Sequence, residues 1–230
     1  MEELKKIIQQ VNVFVFDFDG VLIESANAEK KIITGVLKSH GYDFGPKDFM
    51  EFSGFPWSQL FLSLSERFDW SKEEAKNIMD ECLDISFATS FPVPEGLGKK
   101  IEQLSLSGYK IGILTNRPLY SLLAAAEKSK LDLYFFNFIG TLDNLEHCKP
   151  SPLVWNDLME QGKISSEENI LFFGDTISDF KATEHENLPI SFFGINEKEE
   201  FKETNLKDSC IFQNTMSAIN FVFEQKKIIC

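Results

Sequence analysis

The chain lacks the features that mark several large classes of protein. Its four cysteines, Cys82, Cys148, Cys210 and Cys230, are far apart and form no C-x-x-C pair. This spacing excludes a disulfide scaffold and a cysteine-based zinc site, and it is typical of a reduced, cytoplasmic protein. Only 13 glycines and 8 prolines occur in 230 residues, which excludes a collagen-like chain.

Long hydrophobic runs and basic residues are also scarce. No apolar stretch approaches the ~18 residues of a membrane helix, and the charged start M-E-E-L-K-K lacks the apolar segment of a signal peptide. With 23 basic and 36 acidic residues the formal net charge is −13. Such a surface repels phosphate backbones and anionic lipids, so we expect no nucleic-acid or membrane partner. The sequence does not fix the oligomeric state; we favour a monomer.

The remaining composition is that of a globular chain, with 43% hydrophobic and 26% charged residues. Short apolar runs alternate with helical patterns along most of its length, which predicts strand–helix–strand units. Runs of this kind are typical of strands that are buried on both faces. We therefore predict an α/β fold with a doubly wound, Rossmann-like parallel sheet. The predicted strands are 11–16, 111–114, 135–139, 170–173 and 190–193, with 210–212 as a weaker sixth.

The segment 25–90 departs from this alternation because it shows three helical patterns and no strand. Its third pattern opens at Ser71 with a capping box that includes Glu74. An all-helical insert directly after the first strand predicts a cap domain at 25–90. The α/β core would then consist of 1–24 and 91–230.

Four polar motifs follow predicted strands, and the first is Asp17-Phe18-Asp19-Gly20. Because side chains alternate along a strand, the carboxylates of Asp17 and Asp19 point the same way. Neighbouring carboxylates repel each other unless a cation lies between them or one is protonated. Mg²⁺ prefers a few carboxylates together with phosphate oxygens. The pair therefore predicts metal-assisted phosphoryl chemistry, with a polar turn of no chemical role as the alternative.

The other three motifs are weaker when taken singly. Thr115-Asn116 is also typical of a helix cap, Lys149 of a surface charge, and Asp175 with Asp179 of an acidic helix start. All of them follow strands, however, and open α/β sheets bind ligands at the carboxyl ends of their strands. Together they predict one site that holds a phosphoryl group and a metal ion.

In this order and spacing, the four motifs resemble those of the haloacid dehalogenase superfamily. The resemblance covers nearly the whole chain and is to phosphatases with a helical cap, in the phosphoglycolate-phosphatase-like and β-phosphoglucomutase-like subgroup. The matching segments, in motif order, are 17–22, 115–116, 149, and 174–175 with 179. The resemblance implies a phosphatase fold and activity, with Mg²⁺ as cofactor and a small phosphorylated metabolite as substrate.

It also implies roles for individual residues. Asp17 would attack phosphorus and form an aspartyl-phosphate, which divides one difficult displacement into two easier ones. Asp19, protonated at first, would give its proton to the leaving oxygen and later take one from water. The groups implied to hold Mg²⁺ are the Asp17 carboxylate, the Asp19 carbonyl, Asp175 and Asp179. The groups implied to bind the transferring phosphoryl are Thr115, Asn116 through its backbone, and Lys149.

The sequence departs from the family pattern near the substrate. Glu24 stands where an aspartate is frequent, and we expect it to shift the hinge or the substrate mouth without changing the chemistry. Gly54, Phe55 and Trp57 resemble the specificity loop of such caps, although for the two aromatic residues we favour packing of cap on core over stacking on the substrate. Relatives that act on carboxylated substrates often have an arginine near 50–52, and its lack here favours a less anionic or aromatic-bearing substrate.

These observations favour a phosphatase over three alternatives. A sugar-phosphate mutase of the β-phosphoglucomutase type would use the same residues. A phospho-receiver-like signalling protein would have its motifs in a different order, and a non-catalytic binding protein would not need the full set. The aspartate at 19 also favours phosphate chemistry over carbon–halogen cleavage, which needs no protonated leaving alcohol.

Overall fold

The computed structural model describes residues 2–45, 48–49, 56–196 and 198–228. In it the apolar runs form a six-stranded sheet with the order β3-β2-β1-β4-β5-β6, and every pair of neighbours is parallel. The predicted doubly wound α/β fold is therefore confirmed. The strands are β1 Val13–Phe16, β2 Lys110–Leu114, β3 Phe138–Gly140, β4 Ile170–Gly174, β5 Ile190–Ile195 and β6 Ile211–Phe212.

Helices connect the strands and cover both faces of the sheet. They are α1 Glu2–Gln10, α2 Ala26–Ser39, α3 Trp57–Phe68, α4 Lys72–Ala88, α5 Leu97–Leu106, α6 Leu119–Ser129, α7 Val154–Glu160, α8 Ile177–Ala182 and α9 Thr215–Lys226. The sequence analysis did not predict α1, which packs against α9 and buries Leu4 and Ile8. Among the described helices, none has both the length and the apolar character that crossing a membrane requires.

The central strand β1 shows why the hydrophobic runs are continuous. All four of its residues are buried, and alternate side chains enter different clusters. Phe14 and Phe16 join the cluster on one face of the sheet, whereas Val13 and Val15 join the cluster on the other. A strand covered by helices on both faces has no solvent-facing position, so its sequence does not alternate with polar residues.

A third hydrophobic cluster lies outside the sheet layers and is built by α2, α3 and α4. Its buried members all fall between Ile33 and Cys82, and Leu37, Leu64 and Cys82 are completely enclosed. The hydroxyl of Ser71 accepts the backbone N–H of Glu74 at 3.1 Å and caps α4, which is one half of the predicted capping box. The Glu74 carboxylate accepts the Tyr42 hydroxyl at 2.6 Å. The three helices thus share a hydrophobic core of their own.

Two helices begin at other residues than their sequences indicate. Ser151-Pro152 is typical of a cap followed by a first-turn proline, but α7 begins at Val154, because 151–153 form a turn in which the N–H of Leu153 reaches the Ser151 hydroxyl at 3.3 Å. Thr215 has the hydroxyl of a typical cap, but α9 is capped by Asn214. The Thr215 hydroxyl donates to the carbonyl of Val21 at 2.7 Å and so ties α9 to the loop after β1.

Candidate active site

The parallel register of the sheet brings the four motifs to one edge. Phe16 lies level with Ile113 on one side and with Phe173 on the other, so the residues that follow these strands are neighbours. The N–H of Asp17 continues the ladder by donating to the carbonyl of Phe173 at 2.8 Å. The structure therefore places Asp17, Thr115 and Asp175 side by side, beyond the carboxyl ends of β1, β2 and β4.

Three of the predicted aspartates form a buried cluster. Carboxylate oxygens of Asp17, Asp175 and Asp179 all lie within 4.8 Å of one another. Lys149 is only 2% exposed, and its ammonium group lies 2.8 Å from Asp17 Oδ1 and 2.5 Å from Asp179 Oδ1. One buried lysine thus faces three buried carboxylates, and the cluster carries an excess of negative charge when all are ionised.

The pKa values reflect this crowding. Burial, followed by the charge of Asp179, raises the pKa of Asp17 to about 8, although Lys149 opposes the shift. Burial and the charges of Asp179 and Asp17 raise the pKa of Asp175 well above its ordinary value. Burial alone would lower the pKa of Lys149, but the attraction of Asp17 and Asp179 raises it. Acids that are this crowded keep protons unless a cation replaces them.

Two glycines make room for the acidic cluster. Gly20 has a φ of +75°, and a Cβ there would lie 2.0 Å from Oδ2 of Asp175. A Cβ on Gly174 would lie 2.3 Å from the Cβ of Asp179. Any side chain at these positions would displace a carboxylate, and at Gly20 it would also strain the backbone.

Asp179 serves the helix and the cluster at once. Its Oδ2 accepts the N–H of Thr176 at 3.0 Å and the Thr176 hydroxyl at 2.7 Å, which completes a capping box on α8. Its other oxygen, Oδ1, faces Lys149. Both interpretations of this residue therefore describe part of its role: it is an acidic helix start, and it is a member of the cluster.

Asn116 holds Lys149 in place. Its side-chain amide donates to the Lys149 carbonyl at 2.8 Å and accepts the Lys149 N–H at 3.0 Å. The sequence analysis assigned Asn116 to the phosphoryl group through its backbone and did not predict this side-chain role. The pair fixes the loop of Lys149 to the end of β2, so that the ammonium group enters the acidic cluster at a set position.

Asp19 lies outside the acidic cluster and faces an arginine. Arg117 donates Nε–H to Asp19 Oδ2 at 2.9 Å and Nη2–H to Oδ1 at 2.7 Å, while the Ser25 hydroxyl donates to Oδ1 at 2.5 Å. Burial alone would raise the pKa of Asp19, but the charge and hydrogen bonds of Arg117 hold it below its ordinary value. The expectation of a protonated Asp19 is therefore wrong for this arrangement.

Arg117 also connects the sheet to the helices of segment 25–90. It pairs with Glu29 in the first turn of α2, and its Nη1 donates to the Ser121 hydroxyl at 2.9 Å. Burial raises the pKa of Glu29 to about 7, although Arg117 and a hydrogen bond from Trp57 oppose the shift. The sequence analysis assigned no role to Arg117 or Glu29, and the only signal was that Arg117 follows Thr115 by two positions in the second motif.

A cavity of about 570 Å³ opens onto these groups. Its floor includes Asp17 and Asp175 of the acidic cluster, and its roof is formed by residues of α2, α3 and α4, Trp57 among them. The predicted specificity residues Gly54 and Phe55 lie outside the described residues. The cavity therefore joins the predicted chemical centre to the helical segment predicted to select the substrate.

Comparison with known proteins agrees with this geometry. Residues 14–193 match the sequence model of a family described as haloacid dehalogenase-like hydrolase. Pyrophosphatase PpaX of Anoxybacillus flavithermus is 28% identical over 183 residues, which is 76% of this chain and 80% of that protein. The structure of β-phosphoglucomutase from Clostridium difficile superposes with a TM-score of 0.72 at 16% identity, covering 94% of this chain and 97% of that one. A predicted phosphoglycolate phosphatase from Haemophilus somnus gives 0.70 at 18% identity, with coverage of 92% and 98%.

Proposed function

The chain belongs to the haloacid dehalogenase-like hydrolase family, and on that premise we propose that it is a Mg²⁺-dependent phosphatase acting through an aspartyl-phosphate on Asp17. Its match to a pyrophosphatase supports an enzyme of the phosphatase type. The observation that carries the proposal is the buried group of Asp17, Asp175 and Asp179, with Lys149 between two of the three carboxylates. Its substrate would be a small phosphorylated metabolite.

The acidic cluster suits a hard divalent cation. It offers oxygen ligands only, and its three carboxylates outnumber the single lysine that faces them. In this proposal Asp17, Asp175 and the backbone carbonyl of Asp19 hold Mg²⁺, and Asp179 is a ligand or supports one. When bound, the ion neutralises the charge of the acids and of the phosphoryl oxygens.

Asp17 is placed to act as the nucleophile. The N–H of Phe18 donates to its Oδ1 at 2.7 Å, and Lys149 contacts the same atom, so its other oxygen, Oδ2, is left to attack phosphorus. The bond from phosphorus to the leaving oxygen then breaks, and the phosphoryl group remains on Asp17. Thr115, the Asn116 backbone and Lys149 would hold the phosphoryl oxygens during this transfer.

Asp19 would give a proton to the leaving oxygen and later take one from the attacking water. In the arrangement described here its carboxylate accepts three hydrogen bonds, two of them from Arg117. A carboxyl group that is stabilised in its ionised form in this way is seldom protonated, so it rarely has the proton that a general acid must donate. Asp19 must therefore move away from Arg117 when it acts as the acid.

We further propose that 25–90 is a cap domain on a core formed by 1–24 and 91–230. The separate hydrophobic cluster of α2, α3 and α4 supports this division. The cavity between that segment and the acidic cluster supports a role in selecting the substrate and excluding water. The cytoplasmic location remains a prediction.

A mutase of the β-phosphoglucomutase type is the second candidate. It would use the same residues, with Asp19 taking a proton from a sugar hydroxyl instead of from water, so the hydrogen bonds of Arg117 to Asp19 bear on both candidates alike. A phosphoenzyme that resists water is what a mutase needs. Conversion of a sugar phosphate that depends on a sugar bisphosphate, with little phosphate released, would distinguish the mutase from the phosphatase.

The proposal is tested by phosphate release from a panel of phosphate monoesters and pyrophosphate with Mg²⁺. We expect turnover of one substrate class, abolished by EDTA and by Asp17→Asn. Asp69→Asn is the matched control, because Asp69 is exposed, lies at the end of α3 and has a φ of 54° that asparagine tolerates. Turnover that survives in Asp17→Asn would contradict the assignment of the nucleophile.

A further inference from the structure

The hydrogen bonds of Arg117 leave it little capacity to bind a substrate. A guanidinium has five N–H donors, and four of those of Arg117 are used: two by Asp19, one by Glu29 and one by Ser121. Its side chain is only 9% exposed. Although it lines the cavity, Arg117 is therefore committed to groups of the protein.

Arg117, Asp19 and Glu29 together place a net negative charge beside the cavity. One guanidinium faces the two carboxylates of Asp19 and Glu29, so the three side chains sum to −1 when ionised. Glu29 belongs to α2, one of the helices whose residues line the cavity. A leaving group that extends from the phosphoryl site toward the helices would meet this charge.

The other charged residues that line the cavity add to this excess of negative charge. Among the lining residues that the structure describes, the cations besides Arg117 are Lys149, which is paired with two aspartates, and Lys30, which is exposed. Glu24 and Glu200 also line the cavity. The cation best placed to receive the transferring phosphoryl group is thus Lys149 at the floor. The rest of the lining combines apolar and uncharged polar side chains with the acidic residues Asp19, Glu24, Glu29 and Glu200.

From this arrangement we propose that the enzyme selects phosphate monoesters whose leaving group is uncharged or cationic, and discriminates against those with a second anionic group. A hydroxyl or ammonium group can donate to Glu29, whereas a carboxylate or second phosphate would lie against it without an available donor on Arg117. The apolar roof, which includes Ile33, Leu60 and Trp57, would pack against the carbon skeleton. This inference rests on the proposed phosphatase function and disfavours phosphoglycolate and pyrophosphate as substrates.

Three two-carbon esters of matched size test the inference. They are phosphoethanolamine, ethylene glycol monophosphate and phosphoglycolate, whose leaving groups are cationic, neutral and anionic. We expect kcat/KM for the first two to exceed that for phosphoglycolate by about tenfold or more, the effect of one unit charge in a partly buried site. Equal or better turnover of phosphoglycolate would overturn the proposal.

The charge of Glu29 is tested by Glu29→Gln, which keeps the size of the side chain. We expect the ratio of kcat/KM for phosphoethanolamine over phosphoglycolate to fall by about fivefold or more. Glu66→Gln is the control, because Glu66 is an exposed glutamate of α3 that does not belong to the cavity lining, and its effect should stay below about twofold. A ratio that Glu29→Gln leaves unchanged would show that this residue does not set the selectivity.

Binding distinguishes failure of this inference from failure of the proposed function. Calorimetric titration of the three esters into Asp17→Asn with Mg²⁺ reads the charge preference without turnover. If no ester is hydrolysed by the wild type but the same order of affinity is found, the phosphatase is wrong and the selectivity stands. If esters are hydrolysed but phosphoglycolate binds as tightly as the others, the selectivity is wrong and the phosphatase stands.

Discussion

Gly20 provides a sharp test of how the acidic cluster is built. Its φ of +75° costs an alanine roughly 1–2 kcal/mol, and the new Cβ would lie 2.0 Å from Oδ2 and 2.5 Å from Cγ of Asp175. Because non-bonded atoms do not approach so closely, the carboxylate of Asp175 must rotate out of the cluster. Gly20→Ala should therefore lose stability through the backbone and Mg²⁺ affinity through Asp175.

Gly108→Ala separates the two effects. Gly108 has a φ of +84° at the end of α5, and a Cβ there would have no atom within 4 Å. It carries the same backbone penalty without the contact. Both variants should lose about 1–2 kcal/mol of unfolding free energy, offset by up to about 1 kcal/mol from the less flexible unfolded chain. Only Gly20→Ala should also lose Mg²⁺ affinity, by about tenfold or more.

Calorimetric titration with Mg²⁺ and urea unfolding measure the two quantities separately. Near-identical unfolding free energies, with weakened Mg²⁺ binding in Gly20→Ala alone, would support the role of Asp175. Wild-type affinity in Gly20→Ala would refute the reasoning, since a displaced Asp175 would then be irrelevant to the ion. Equal loss of affinity in both variants would assign the effect to general destabilisation.

Three further predictions follow from burial and charge. The pKa of Asp17 is about 8 in the folded chain and 3.8 as the reference value, so between these values the metal-free fold binds more protons than the unfolded chain and loses stability as pH rises. The rise in Tm on adding Mg²⁺ should therefore be larger at pH 8 than at pH 6. A smaller rise at pH 8 would contradict this. Burial raises the pKa of Cys82 to about 12 and encloses the thiol, so a disulfide reagent at pH 8 should modify Cys82 only after unfolding, as mass spectrometry of labelled peptides would show. Leu64→Ala should lower the stability of the cluster formed by α2, α3 and α4 by about 2–5 kcal/mol. Hydrogen exchange should become faster in these three helices while β1 stays protected. Faster exchange in the whole chain would argue against a separate cap domain.

The sheet could be predicted because its strands are buried on both faces. Each of the six predicted strands is found in the structure, although β3 begins at Phe138, three residues later than predicted. Helix α1 was not predicted, although Leu4 and Ile8 lie one turn apart and are buried. Short amphipathic segments with so few apolar positions are hard to distinguish from loops before their packing partner is known.

The members of the acidic cluster could also be predicted, because parallel strands bring their carboxyl ends to one edge. The contacts between distant segments could not. Arg117 pairs with Glu29, which is 88 residues away in the sequence, and Asn116 forms hydrogen bonds with Lys149, which is 33 residues away. Such pairs depend on how α2 and the loops pack against the sheet, which no local pattern records. For this reason the sequence analysis expected a protonated Asp19, whereas the structure places it against Arg117.

The central claim is that Asp17 carries the phosphoryl group, and rapid quenching tests it most directly. Wild-type enzyme would be mixed with its best substrate and Mg²⁺, quenched in acid within milliseconds, reduced with borohydride and digested. The account predicts that mass spectrometry finds the reduced product of an aspartyl-phosphate at Asp17, and that Asp17→Asn yields none. Steady turnover with no modified Asp17 at any quench time, or with the phosphoryl group trapped on another residue, would contradict it.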